Sequence, residues 1–79
     1  MSFALIPKQL SYFTVNQHLE QKHPNLSDYW TSMGFNDEKT ESYVTFEMED
    51  GGPDEVATVK LNGNVIASDR LLNEMEAIG

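Results

Sequence analysis

Hydrophobic and polar positions change rhythm once along this chain, near residue 41. Before that point the apolar residues recur at helical spacing. After it they alternate, as they do on a strand with one buried face. The spacing of Leu10, Phe13 and Gln17 on one side, with Tyr12, Val15 and Leu19 on the other, predicts a first helix. Either Pro7 opens it as its first residue, or Thr14 caps a shorter version through the backbone N–H of Gln17. Pro24 ends it, because the residue before a proline is pushed out of the α region.

Leu26, Tyr29, Trp30 and Met33 then follow i, i+3, i+4, i+7, one face of a second helix. Asn25 is its expected N-cap, and Gly34 stands where a left-handed C-terminal residue is wanted.

From Glu41 the period is two. Val44, Phe46 and Met48 point one way, and Glu41, Tyr43, Thr45, Glu47 and Glu49 the other. Ala57, Val59 and Leu61 face inward on the next run. Asn62-Gly63 signals a type I′ hairpin that would pair Val59 with Ile66 and Lys60 with Val65. The expected strands are 42–49, 55–61 and 64–68. Side-chain parity requires paired numbers in the first hairpin to sum to an odd value. One such register sets Phe46 against Val59, Val44 against Leu61 and Thr45 against Lys60, leaving Asp50 to Glu55 as a flexible acidic tip. Ser68 is the N-cap of a last helix with Asp69 in its first turn and an apolar stripe of Leu71, Leu72, Met75 and Ile78.

The reading is a single small α+β domain over residues 1–79: a helical half (1–36), an antiparallel sheet (41–68) and a C-terminal helix (69–78) packed on one sheet face. N-terminal helices precede a three-stranded antiparallel β-meander. Whether residues 2–6 add an edge strand is left open.

Composition narrows the function classes. The chain is 39% hydrophobic, too apolar for a disordered acidic tail. It has no cysteine, which removes disulfides and Cys-based zinc sites and suits a cytoplasmic location. Phe3-Ala4-Leu5-Ile6 is far shorter than a signal or membrane-spanning segment, so no membrane association is expected.

Charge changes the picture most. Asp37, Glu38, Glu41, Glu47, Glu49, Asp50, Asp54 and Glu55 are opposed within their own stretch only by Lys39, and carry net −7 of the protein's −8. A surface made only for solubility interleaves both signs. Glu47 and Glu49, two strand positions apart, would stand about 6–7 Å from each other, near the spacing of successive phosphates.

Other chemistry is poorly provided for. Asp-Gly-Gly-Pro-Asp-Glu lacks the ligand alternation of a calcium loop. His18 and His23 are five apart, without a metal-binding motif. The serines lack a nucleophile-elbow context, and a core this small seldom encloses a cleft for paired carboxylates. No enzyme, cofactor or metal site is expected.

These residues predict a non-enzymatic binding protein that docks on a basic surface of a nucleic-acid-handling protein and blocks it. It would act as a nucleic-acid mimic, in the manner of small acidic phage or mobile-element inhibitors of anti-restriction or anti-CRISPR type. The expected partner-binding residues are Glu41, Glu47, Glu49, Asp50, Asp54 and Glu55, with Tyr29 and Trp30 as aromatic anchors. Direct nucleic-acid binding is disfavoured by charge, and the protein is expected as a monomer or homodimer. The alternative is a structural or adaptor module that uses exposed apolar helix surface.

Overall fold

In the computed structural model, residues 8–78 are described, with the side chains of Met75, Ala77 and Ile78 left out. The expectations for residues 2–6 and for the Met75 and Ile78 positions of the last helix's stripe therefore lie outside the described residues. The order is α1 (Tyr12–Lys22), α2 (Leu26–Tyr29), β1 (Trp30–Phe35), β2 (Glu41–Phe46), β3 (Glu55–Lys60), β4 (Val65–Ile66) and α3 (Asp69–Ile78). The strands form one antiparallel sheet in the sequential order β1-β2-β3-β4. The fold is α+β as expected, but among the described residues the meander has four strands rather than three.

The additional strand comes from the segment read as a helix. Only Leu26–Tyr29 makes a helical turn, and Trp30–Phe35 runs alongside β2, pairing Met33 with Val44 and Phe35 with Ser42. The sequence there satisfies both periods. Trp30, Met33 and Phe35 also alternate once Thr31 is taken up in a register shift, and all three pack against the core. Gly34, expected beyond a helix end, lies within the strand. Pairing with an otherwise open β2 outweighs a helical pattern that contains Thr31 and Gly34, both poor helix formers.

The first helix starts neither at Pro7 nor with Thr14 as its cap. Ser11 is the N-cap, accepting from Thr14 N–H at 3.2 Å, and Val15 and Leu19 are buried. His23, before Pro24, closes it with a non-helical backbone (φ −144°, ψ 83°) and an N–H bond to Leu19 O. Ser68 caps α3 as expected, accepting from Leu71 N–H at 3.1 Å. Inward residues of β2 and β3 (Val44, Phe46, Ala57, Val59) share one core with Leu10, Val15, Leu19, Leu26, Met48 and Leu71. Burial of each large apolar side chain here contributes on the order of 1.5–3 kcal/mol.

Both hairpins keep the expected parity or turn position but not the expected partners. In β2–β3 the pairs are Val44↔Ala57, Thr45↔Val56 and Phe46↔Glu55, so the odd sum holds while the connection lengthens to residues 47–54. In β3–β4, Gly63 N–H bonds Lys60 O at 2.9 Å and Gly63 alone takes positive φ, +94°. This is a three-residue turn closed by a left-handed glycine, in place of a two-residue type I′ turn. It slides the pairing by one, to Thr58↔Ile66 and Val59↔Val65, and turns Ile66 outward at 56% exposure.

The two ends of the sheet are closed differently. At one end, the Asn36 side chain accepts from Thr40 and Glu41 N–H (2.8 and 2.9 Å) and donates to Thr40 Oγ1 (2.9 Å). Lys39 holds a left-handed φ of 57° there, and its carbonyl accepts from Leu10 N–H. Beside it, Gly63 is buried against the ring of His18, which leaves no free room for a Cβ. The other end carries most of the acids.

Candidate functional site: the acidic end of the sheet

The long β2–β3 connection gathers its charge because of what alternates before it. Met48 is 3% exposed, so Glu47 and Glu49 on either side of it face solvent although the ladder ends at Phe46. Gly51, at φ +76°, closes a turn with its N–H on Met48 O at 3.1 Å. Asp50 Oδ1 accepts from Gly52 N–H at 2.9 Å.

One cation then fastens the loop to α3. Arg70 Nη2 donates to both Asp50 oxygens (2.8 and 3.1 Å), and Nη1 donates to Glu55 Oε2 (2.8 Å) and Pro53 O (3.0 Å). Gly52 gives the guanidinium its room, since a Cβ there would run into Nη2. Ser68, while capping α3, donates to Glu55 Oε1 at 2.6 Å. The tip expected to be flexible is therefore tied down at four points to the first turn of α3. Its carboxyls respond accordingly. Glu55 is lowered below its ordinary pKa of 4.5, first by the Ser68 hydroxyl and then by Arg70. Asp50 is lowered below 3.8, first by the Gly52 N–H and then by Arg70.

The expected acidic docking residues divide into three groups. Glu47, Glu49 and Asp54 are exposed and form no ion pair among the described residues. Asp50 and Glu55 face the same way but are matched by Arg70. Glu41 stands at the opposite end of β2, bonded to Lys60 Nζ at 3.3 Å and to the Tyr43 hydroxyl at 3.0 Å, which lower its pKa.

The two aromatic candidates also part. Trp30 is half-buried, donates Nε1–H to Asn16 Oδ1 at 3.0 Å, and has its ring 6.2 Å from that of Tyr12, so it joins α1 to the sheet. Tyr29 is 43% exposed. It precedes the Trp30↔Phe46 pair just as Glu47 follows it, which places Tyr29 and Glu47 at the same end of the ladder.

Two acids outside the dense stretch join them. Glu74 Oε2 accepts from Glu49 N–H at 3.0 Å, and Asp69 lies in the α3 turn that holds Arg70. The sequence signal for them was the Ser68 cap, which brings the first turns of α3 to the base of the loop. The even row Glu41, Glu47, Glu49 does not form one acidic sheet face. The outer face between its ends carries Tyr43, Thr45, Val56 and Thr58, so the charge is gathered at one end.

No group of three or more potential ligands among the described residues is placed to hold a metal ion. No described helix is long and apolar enough to cross a membrane. Comparison with protein-family models, curated proteins and solved structures finds no match to this chain.

Proposed function

We propose that this is a non-enzymatic binding protein that docks its acidic end on a basic, nucleic-acid-binding surface of another protein and blocks that surface. The observation that carries this reading is the group Glu47, Glu49 and Asp54. These three acids are exposed, lack cation partners among the described residues, and project from a loop that Arg70 fixes in shape. Uncompensated charge raises the association rate with an oppositely charged partner. A loop already ordered loses less freedom on docking. Tyr29, exposed at the same end, supplies a rigid amphipathic contact of the type enriched at binding hot spots. Asp50 and Glu55 shape the surface rather than drive attraction, because Arg70 already matches them. The lack of cysteine agrees with a cytoplasmic setting.

The test is capture of partners from host extract at low and at high salt, followed by association kinetics of the captured protein. The E47K/E49K double variant is expected to lower the association rate by about tenfold or more and to flatten its salt dependence. Nucleic acid is expected to compete with the wild type for the partner. An unchanged association rate in the double variant refutes the reading.

A second reading, an assembly module docking through apolar helix surface, has one observation in its favour: Phe13 and Tyr12 on α1 are 71% and 56% exposed. Docking of that kind is nearly insensitive to salt, so the same titration separates the two.

A further inference from the structure

The two edges of the sheet are guarded unequally. At one edge β4 is only two residues long, and a short edge strand offers little to pair with. At the other, β1 presents six residues, Trp-Thr-Ser-Met-Gly-Phe, without a charge or a proline. Its only irregularity is the register shift beside Thr31.

Which of its backbone groups are open follows from the ladder. Asn36 N–H bonds Glu41 O at 3.1 Å. Antiparallel pairs alternate between bonded and non-bonded, so Gly34 and Ser32 also turn their backbone groups toward β2. Met33 and Phe35 turn theirs to the edge that no described strand pairs with.

Gly34 lies between them and has no local reason to be glycine. Its φ is ordinary for a strand, and a Cβ built there meets no atom within 4 Å. A strand-interior glycine weakens a strand unless another backbone must come close.

We infer that β1 pairs antiparallel with β1 of a second copy of this chain, with the two-fold axis at Gly34, to give a continuous eight-stranded sheet. Met33 and Phe35 of one copy bond Phe35 and Met33 of the other. The two Gly34 residues face each other as a non-bonded pair, with Cα atoms about 4.5 Å apart.

Charge leaves this strand free to meet a second copy. β1 lies in the stretch 1–36, whose charges sum to zero, so two molecules of net −8 meet at an uncharged strand. Antiparallel pairing also points the two acidic ends in opposite directions. This keeps the two acidic loops apart, each lying toward the partner's 36–40 turn, where Asp37, Glu38 and Lys39 sum to only −1. The contact is isologous and closes on itself, so it stops at a dimer instead of running on as a fibre. Its surface is separate from the acidic loop, so each dimer would offer two acidic ends.

The experiment is sedimentation of the full chain from about 10 µM to about 1 mM, with amide exchange read at both limits. The wild type is expected to shift reversibly from monomer to dimer, and Met33 and Phe35 amides to gain protection in the dimer. Gly34→Lys and Gly34→Glu fill open space in the monomer, so both are expected to keep its melting temperature. Each alone is expected to dimerise at least tenfold more weakly, the lysine variant despite its lower net charge. Mixed in equal amounts, they are expected to form a heterodimer. Any one of three results overturns the inference: a wild type monomeric at the highest concentration, a Gly34→Lys variant that dimerises as well as the wild type, or Met33 and Phe35 amides equally protected at both limits. The last would mean that the edge is covered from within the same chain.

Discussion

The two ends of this sheet do the same job by different chemistry. At the 36–40 and 61–64 turns, closure rests mainly on the Asn36 amide, a left-handed glycine and the packing of His18 on Gly63, with the Glu41–Lys60 pair beside them. At the 47–54 loop, closure rests on one guanidinium among carboxylates. Neutral, partly buried bonds are indifferent to pH and salt, whereas exposed ion pairs weaken with both. The first end therefore depends less on salt and pH, with the exposed Glu41–Lys60 pair as its charged contribution. The other has its shape and its charge under the control of a single side chain.

The largest test of that contrast is Gly63→Ala. The left-handed backbone and the His18 ring both oppose a methyl group, and a loss of about 2 kcal/mol is expected in urea unfolding, unaffected by salt. At the acidic end, Arg70→Met is expected to lower the melting temperature at low salt and to converge on the wild type at high salt. This variant also tests Arg70's share of the pH dependence. Asp50 and Glu55 have folded pKa values below their ordinary 3.8 and 4.5. Their stabilisation is therefore complete above those values and is lost as pH falls through the lowered ones. Wild-type stability is expected to decline below about pH 4.5, and the acid limb of Arg70→Met to be flatter. A residual slope remains, from Glu55 on Ser68, Asp50 on the Gly52 N–H, and Glu41 on Tyr43 and Lys60.

A comparison of caps comes next. Ser11→Ala and Ser68→Ala each remove an N-cap at a cost of about 1 kcal/mol. The second is expected to cost more at neutral pH than at pH 3, because Glu55 also loses its hydroxyl partner. The smallest effect is a gain. Lys39→Gly relieves the left-handed backbone and is expected to stabilise by about 0.5 kcal/mol in thermal melts.

What the sequence revealed and what it hid have physical causes. Alternation from Val44 to Met48 and from Ala57 to Val59 placed the inner face correctly, because a period of two is a local property. The register was not local. Any odd sum satisfies the parity, and the choice of Val44↔Ala57 accompanies a loop held by Arg70, far along the chain. Residues 26–35 fit both periods, and only the presence of β2 decides between them.

The candidate site was legible as a run of acids, but linear density is not spatial density. β2 carries Glu41 about 20 Å from Glu47 at the usual strand rise, while the Ser68 cap brings Asp69 and Glu74 in. Tyr29 and Trp30 were indistinguishable as neighbours. The bond to Asn16 that turns Trp30 inward depends on α1 lying over β1, which no short-range pattern encodes.

Each strand of the sheet is hydrogen-bonded to the next one in the chain. Assembly can therefore proceed by short loop closures alone, without waiting for distant segments to meet. Topologies of this kind reach the native state quickly, on the order of milliseconds for a mixed domain of this length. Such a chain would spend little time with its acidic loop unformed or the edges of β2 and β3 exposed in a partly built sheet, a protection that comes from strand order alone.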